Sequence, residues 1–165
     1  MTLSVGCSVC DDNARLGSLP PRELIAADRY WRAAHAFGTG TPGWLVLMPL
    51  RHVTAVAELT DAEAAVLGEW QVRLSRALHA VTGCVKTYVA QFAEAEGFAH
   101  VHFHIIARMD DLPEERRGPR VFTMLGRSEE HDLNITRRDE IAVEVRRYLE
   151  ARGWPVTSPF RRSRI

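Results

Sequence analysis

The chain has 165 residues, 46% hydrophobic and 25% charged, the composition of an ordinary globular protein long enough to bury one core. Its 21 basic and 21 acidic residues cancel to a formal net charge of +0, so no global field recruits nucleic acid or an anionic membrane, and any anion site is local. There is no run of about 18 apolar residues, no secretory leader pattern, and an odd cysteine set (Cys7, Cys10 and Cys84), so neither a membrane span nor a disulfide framework is expected and a reducing cytoplasm fits best.

Residues 1–22 read as irregular, punctuated by Gly6, Gly17, Pro20 and Pro21. Residues 24–36, around Tyr30-Trp31-Arg32-Ala33-Ala34-His35, read as one or two strands, and Gly38-Thr39-Gly40-Thr41-Pro42-Gly43 as a turn. Trp44-Leu45-Val46-Leu47-Met48 is a continuous apolar run of strand length bounded by glycine and proline. A long helix is expected over 60–81. Thr60 and Glu63 form a capping box, Asp61 and Glu63 suit the positive end of the helix dipole, and Gly83 suits the exit. Leu67, Trp70, Leu74, Leu78 and Val81 give this helix one apolar stripe.

Strands follow over 85–92 and 99–108, then a polar, proline-punctuated loop over 110–118. A second helix is expected over 137–152, started by Thr136 and Asp139, stopped by Gly153 and Pro155, with Ile141, Val145, Tyr148 and Leu149 inward. The tail Arg161-Arg162-Ser163-Arg164-Ile165 is basic and reads as solvated.

Residues 100–104 read His-Val-His-Phe-His. Successive side chains of a strand point to opposite faces, so in a strand His100, His102 and His104 share one face and Val101, Phe103 and Ile105 the other. The β-branched and aromatic neighbours favour the strand. Three imidazoles add nothing to a core, so the face reads as chemical. Cys7 and Cys10, spaced Cys-x-x-Cys, form a metal half-site that needs two further ligands. Cys84 reads as a small buried hydrophobe, His35 and His79 as structural, His131 as exposed, and Trp31, Trp44 and Trp70 as core.

His100-x-His102-x-His104 followed by two apolar residues resembles the signature of the histidine triad (HIT) superfamily of nucleotidyl hydrolases and transferases. Upstream, Gly43-Trp44-Leu45-Val46-Leu47-Met48-Pro49-Leu50-Arg51-His52 resembles that family's apolar strand ending in Pro-x-x-His. The resemblance covers roughly residues 5 to 110. It implies an α+β fold: an antiparallel sheet of about five strands, one long helix, and here an additional C-terminal helix. The chain is then a single HIT-like domain, 1–165, with its core over about 5–110, a helical extension over about 120–155 and a basic tail over 156–165.

The resemblance also implies a chemistry. The middle histidine, His102, attacks an α-phosphorus and forms a nucleotidyl-histidine intermediate, and His104 donates to phosphate oxygens. HIT proteins with an N-terminal Cys-x-x-Cys often complete a structural zinc site with the Pro-x-x-His and first triad histidines. That makes the ligand set Cys7, Cys10, His52 and His100. The substrate class implied is a nucleotide or dinucleoside polyphosphate, with phosphoanhydride or phosphoramidate cleavage, and the implied assembly is a homodimer joined through the long helix and the strand before the triad. For substrate contact the candidates are Gln91, as a donor, and Arg108, which with Arg51 and Lys86 can steer a polyphosphate.

The sequence departs from the family at three places. Glu96 stands where a glutamine is expected, Gly97 where a hydroxyl residue is expected, and residues 33–43 contain no ribose-binding acid. Two other readings therefore stay open. One is a metal-dependent hydrolase or lyase using His-x-His as a metal pair. The other is a zinc-stabilised nucleotide-binding or interaction module with little turnover.

Overall fold

The computed structural model describes residues 6–126 and 132–154. His131 and the basic tail lie outside the described residues. Five strands, β1 (Ala26–Ala27), β2 (Trp31–His35), β3 (Trp44–Pro49), β4 (Lys86–Gln91) and β5 (Phe103–Arg108), form one antiparallel sheet in the order β1-β2-β3-β5-β4. The architecture is α+β, as expected. Helix α2 (Asp61–Thr82) covers one face, where Trp70, Leu74, Ala77 and Leu78 meet Leu45, Leu47, Phe103 and Ile105. On the opposite face Trp44, Val46 and Met48 pack into two smaller clusters. The apolar run 44–48 is unbroken because β3 is central and covered on both sides.

Thr60 caps α2 as the sequence predicts: its side chain accepts from Glu63 N, and Glu63 Oε2 accepts from Thr60 N at 2.8 Å. Glu63 also holds Arg51 through two contacts of 3.1 and 2.8 Å, which ties the turn after β3 to the helix start. At the β2–β3 turn Gly43 has φ +76, and a Cβ there would come within 2.9 Å of Leu78 and Thr82. Only glycine lets β3 enter under α2. His35 spans the same turn, its Nδ1 2.7 Å from Ala36 O and its Nε2 accepting from Gly43 N at 3.2 Å. Its role is structural.

Three boundaries differ from expectation. Residues 8–14 form a helix, α1 (Ser8–Ala14), inside the stretch read as irregular. It is seven residues long with no side-chain cap bond, too short to announce itself locally. Tertiary contacts hold it: Cys7, Val9 and Cys10 are buried, and Asn13 donates to Pro49 O and Leu50 O, each at 3.2 Å. Next, β5 begins at Phe103, so His100 and His102 precede it. Val101 N donates to Val53 O at 2.7 Å, which draws this run away from the β4 ladder and against the turn after β3.

The third difference is the C-terminal helix, α3 (Ile135–Glu150), which starts from Asn134 and not Thr136. Asn134 Oδ1 accepts from Arg137 N at 2.8 Å. Asp139, expected in the cap, instead accepts from Arg22 N and Nη1, both at 2.9 Å. Ile141, Ala142, Val145 and Leu149 join the apolar cluster beneath α2, and Trp154 meets Trp70 at a tilt of 60° with ring centroids 4.8 Å apart. Among the described residues no helix is long and apolar enough to cross a membrane.

Candidate active site and metal-ligand cluster

Three segments meet on the face of the sheet away from α2. Cys7 lies at the N-terminus of α1 and Cys10 within it, His52 on the turn after β3, and His100 just ahead of β5. Their ligand atoms all lie within 4.8 Å of one another. Sγ of Cys7 is 3.5 Å from His100 Nδ1, and Sγ of Cys10 is 3.6 Å from the same atom and 3.3 Å from His52 Nδ1. Tetrahedral zinc, with Zn–S of about 2.3 Å and Zn–N of about 2.05 Å, separates its sulfur and nitrogen ligands by about 3.5 Å. The residues fit such an ion. Cys7, Cys10 and His100 are buried and His52 is half-buried, so the set is closed to solvent and suits a structural ion.

The backbone sets which nitrogen each histidine presents. His100 Nε2 lies 2.9 Å from Pro49 O, so it carries the proton and turns the bare Nδ1 toward the sulfurs. Burial holds the His100 pKa down to about 4, keeping the ring neutral. His102 is the reverse: its Nδ1 lies 2.8 Å from His100 O, so the proton sits on Nδ1 and the lone pair on Nε2.

His104 has a different partner. Trp44 Nε1 donates to His104 Nδ1 at 3.0 Å, so His104 keeps its proton on Nε2. The rings of His102 and His104 are 4.8 Å apart. The pair therefore joins a ring bare at Nε2 to a ring protonated at Nε2. Burial, with a smaller contribution from His102, takes the His104 pKa down to about 3. Phe122, from the short 3-10 segment Gly118–Met124, stands edge-on to His104 at 5.0 Å and to Trp44 at 5.4 Å. Phe92 meets Phe122 at 4.9 Å, and Phe37 meets Phe98 at 5.7 Å. Val46 belongs to both clusters of this face, with Phe98 in one and Phe122 in the other.

The sequence-derived candidates fall into two groups. Cys7, Cys10, His52 and His100 come together, as do His102 and His104. Gln91 does not join them: its cross-strand partner is Phe103, so it shares the face turned to α2, opposite His104. Arg108 does share the His104 face, but roughly 13 Å farther along β5, and it is paired with Asp110 at 3.6 Å. Arg51 is engaged by Glu63. Glu96 is exposed. Gly97 has φ +77 and its carbonyl accepts from Ser8 N at 3.2 Å, so a hydroxyl residue here would be strained. Cys84 is fully buried in the core, and Trp31, Trp44 and Trp70 are fully buried too.

Sequence reasoning missed two side chains. Trp44 was expected in the core; it is there, yet its indole N–H serves a site histidine. Phe122 falls in the stretch assigned to the C-terminal helical extension, with no site role expected of it; it stands in the 3-10 segment before α3. The alternation of Trp44 with Val46 and Met48 was the one available signal that Trp44 faces the site.

No family model matches this chain, and no curated protein matches it. Solved structures do. A Hit-like protein involved in cell-cycle regulation from Bartonella henselae is 16% identical and superposes with a TM-score of 0.67 over 90% of this chain and 100% of its own. A Zn-bound histidine triad family protein from Mycobacterium smegmatis is 16% identical, with a TM-score of 0.63 over 88% of this chain and 96% of its own. The Plasmodium falciparum diadenosine triphosphate hydrolase, in complex with cyclomarin A, is 17% identical, with a TM-score of 0.60 over 81% of this chain and 80% of its own. At these identities the agreement is one of fold.

Proposed function

We propose, for a chain that has the histidine triad fold and carries the triad at His100, His102 and His104, a nucleotidyl hydrolase or transferase that works through a covalent nucleotidyl-histidine intermediate. One observation carries this reading: His102 gives its Nδ1 proton to a backbone carbonyl and leaves Nε2 bare, 4.8 Å ring to ring from a histidine protonated on Nε2. The lone pair of His102 Nε2 attacks the α-phosphorus, and the bond to the leaving group breaks. The His104 Nε2–H donates to a phosphate oxygen as charge builds there. The ring joined to phosphorus is cationic, and its Nδ1–H bond to His100 O stabilises it. Water or another acceptor then displaces His102, the electron pair returns to Nε2, and the acceptor's proton passes to solvent.

Substrates of the class implied are nucleotides and dinucleoside polyphosphates. Zinc, held by Cys7, Cys10, His52 and His100, has a structural part: it fixes His100, whose carbonyl orients His102. Gln91, on the α2 face, and Arg108, farther along β5, do not reach the reacting phosphorus in this reading.

The test is intact-mass and peptide mass spectrometry after brief mixing with dinucleoside polyphosphates and nucleoside phosphoramidates, with alkaline denaturation, since phosphorus–nitrogen bonds to histidine are acid-labile. A nucleoside monophosphate adduct on His102 is expected. Binding of nucleoside monophosphate with neither adduct nor turnover would favour the zinc-stabilised binding module. Glu96, the hydroxyl-free Gly97 and the absence of acid in 33–43 support that second reading.

The assembly proposed is a homodimer through α2 and β4. Its support is that β4 is a sheet edge and that Val72 on α2, Val89 on β4 and Val85 just ahead of β4 are exposed. Sedimentation at micromolar concentration should give twice the chain mass; a monomer would refute it.

A further inference from the structure

Trp44 determines what His104 can do, and hence which leaving groups the pair can release. Indole Nε1–H is a donor only and has no lone pair with which to accept. It points at His104 Nδ1 from 3.0 Å, and Trp44 is fully buried, as is nearly all of His104. An imidazolium at this position would set N–H against N–H with no room to turn away. Phe122 closes another side of the ring, and His102 is the titratable neighbour beside it. The remaining proton, on Nε2, can bridge to a phosphate oxygen but cannot be given up, because the product would be an imidazolate.

We infer that Trp44 is a positioning residue that holds His104 as a neutral, permanent Nε2–H donor, so that the site cleaves nucleoside monophosphate compounds whose leaving group departs as a stable anion. This rests on the nucleotidyl-transfer reading above. Phosphate, polyphosphate, carboxylate and acidic phenolate leave with the bonding electron pair and need no proton. An aliphatic alcohol or an amine does need one, and neither His104 nor Gly97 provides it. The electrophilic phosphorus gains the His102 Nε2 bond and loses the bond to the leaving oxygen, with no proton transferred in that step. The low pKa of His104, about 3, agrees with this arrangement.

Two measurements on the wild type test it. In ¹⁵N-edited spectra of the imidazoles, His104 should be a single Nε2–H tautomer that does not change between pH 5 and 8. An Nδ1–H form, or a mixture, overturns the lock whatever the activity. With nucleoside 5′-aryl phosphates of graded phenol pKa, adduct formation should slow by roughly tenfold per unit of leaving-group pKa, the response of an unassisted departure, and a phosphoramidate should react far more slowly than a phosphoanhydride. A shallow dependence with adduct still formed overturns the lock and leaves the His102 reading standing. No adduct with any ester sinks both. Trp44→His, which puts an acceptor opposite His104 Nδ1, should flatten the dependence and speed the phosphoramidate at least tenfold relative to the best ester. An unchanged slope in a folded Trp44→His protein also counts against the proposal, and if that variant fails to fold the wild-type spectra and series decide.

Discussion

The two halves of the site share one run of chain and use the same residue type for opposite ends. His100 and His102 are separated by a single residue, yet one presents Nδ1 and the other Nε2. In each case a backbone carbonyl sets the choice: Pro49 O accepts from the Nε2–H of His100, and His100 O accepts from the Nδ1–H of His102. The ligand half is assembled from three distant segments and is buried except at His52. The half proposed to react is a neighbouring pair, His102 and His104, in which His102 remains half-buried. Ring identity therefore says little about role, and the partner of the far nitrogen says a great deal. Damage to the two halves should accordingly differ in kind.

The largest effect is expected from His102→Asn. Turnover should fall roughly a thousandfold or more, because the proposed nucleophile is lost outright. The midpoint of thermal unfolding should hardly move, since a half-buried ring with one hydrogen bond is removed. A variant as active as the wild type, or one that unfolds, would erase the contrast between the halves.

Next comes Cys10→Ser, or chelation of the wild type. Protein purified without chelator should hold about one zinc per chain, by elemental analysis. Losing it should lower the thermal midpoint by roughly 10 °C, the equivalent of about 4 kcal/mol of binding linkage. Activity lost on chelation should return on zinc addition with the midpoint. Equal stability with and without metal would remove the structural role.

The smallest effect sharpens the comparison with a histidine outside both halves. Burial takes the His35 pKa down to about 4, the backbone bond to Ala36 only partly opposing it. The unfolded chain binds that proton near pH 6.5, while the folded one resists it until near pH 4. Stability is full above about pH 6.5 and lost as the pH falls toward 4, with about 2 kcal/mol gone by pH 5. Urea unfolding at pH 7 and 5 should show a loss in the wild type that exceeds the loss in His35→Gln by about 2 kcal/mol, since buried His100 and His104 add the same loss to both proteins. An identical acid sensitivity in the two proteins would assign the effect elsewhere.

Much of this organisation was legible in the sequence because it is local. Thr60 and Glu63 announce the start of α2, the alternation at 100–104 announces the triad, and Cys7 with Cys10 announces a half-site. What stayed hidden depends on register and on contacts between distant segments. Gln91 lies on the wrong face because it pairs with Phe103, and nothing within 85–92 encodes that pairing. Helix α1 forms on contacts to Pro49, Leu50 and Arg32, more than fifteen residues away for each. Trp44 reads as an ordinary core residue until β5 is laid beside β3, and only then does its N–H find His104. Asn134 outcompetes Thr136 as a cap because Asp139, the expected third partner, is claimed by Arg22.

The central claim is that opposite tautomers on adjacent histidines create the reactive pair, and one spectrum tests it. In ¹⁵N-labelled protein at pH 7, long-range ¹H–¹⁵N correlations assign the protonated nitrogen of each triad ring. The expected result is Nε2–H for His100, Nδ1–H for His102 with a bare Nε2, and Nε2–H for His104. A His102 protonated on Nε2, or one that is imidazolium at pH 7, would leave no lone pair facing a phosphorus and would contradict the claim.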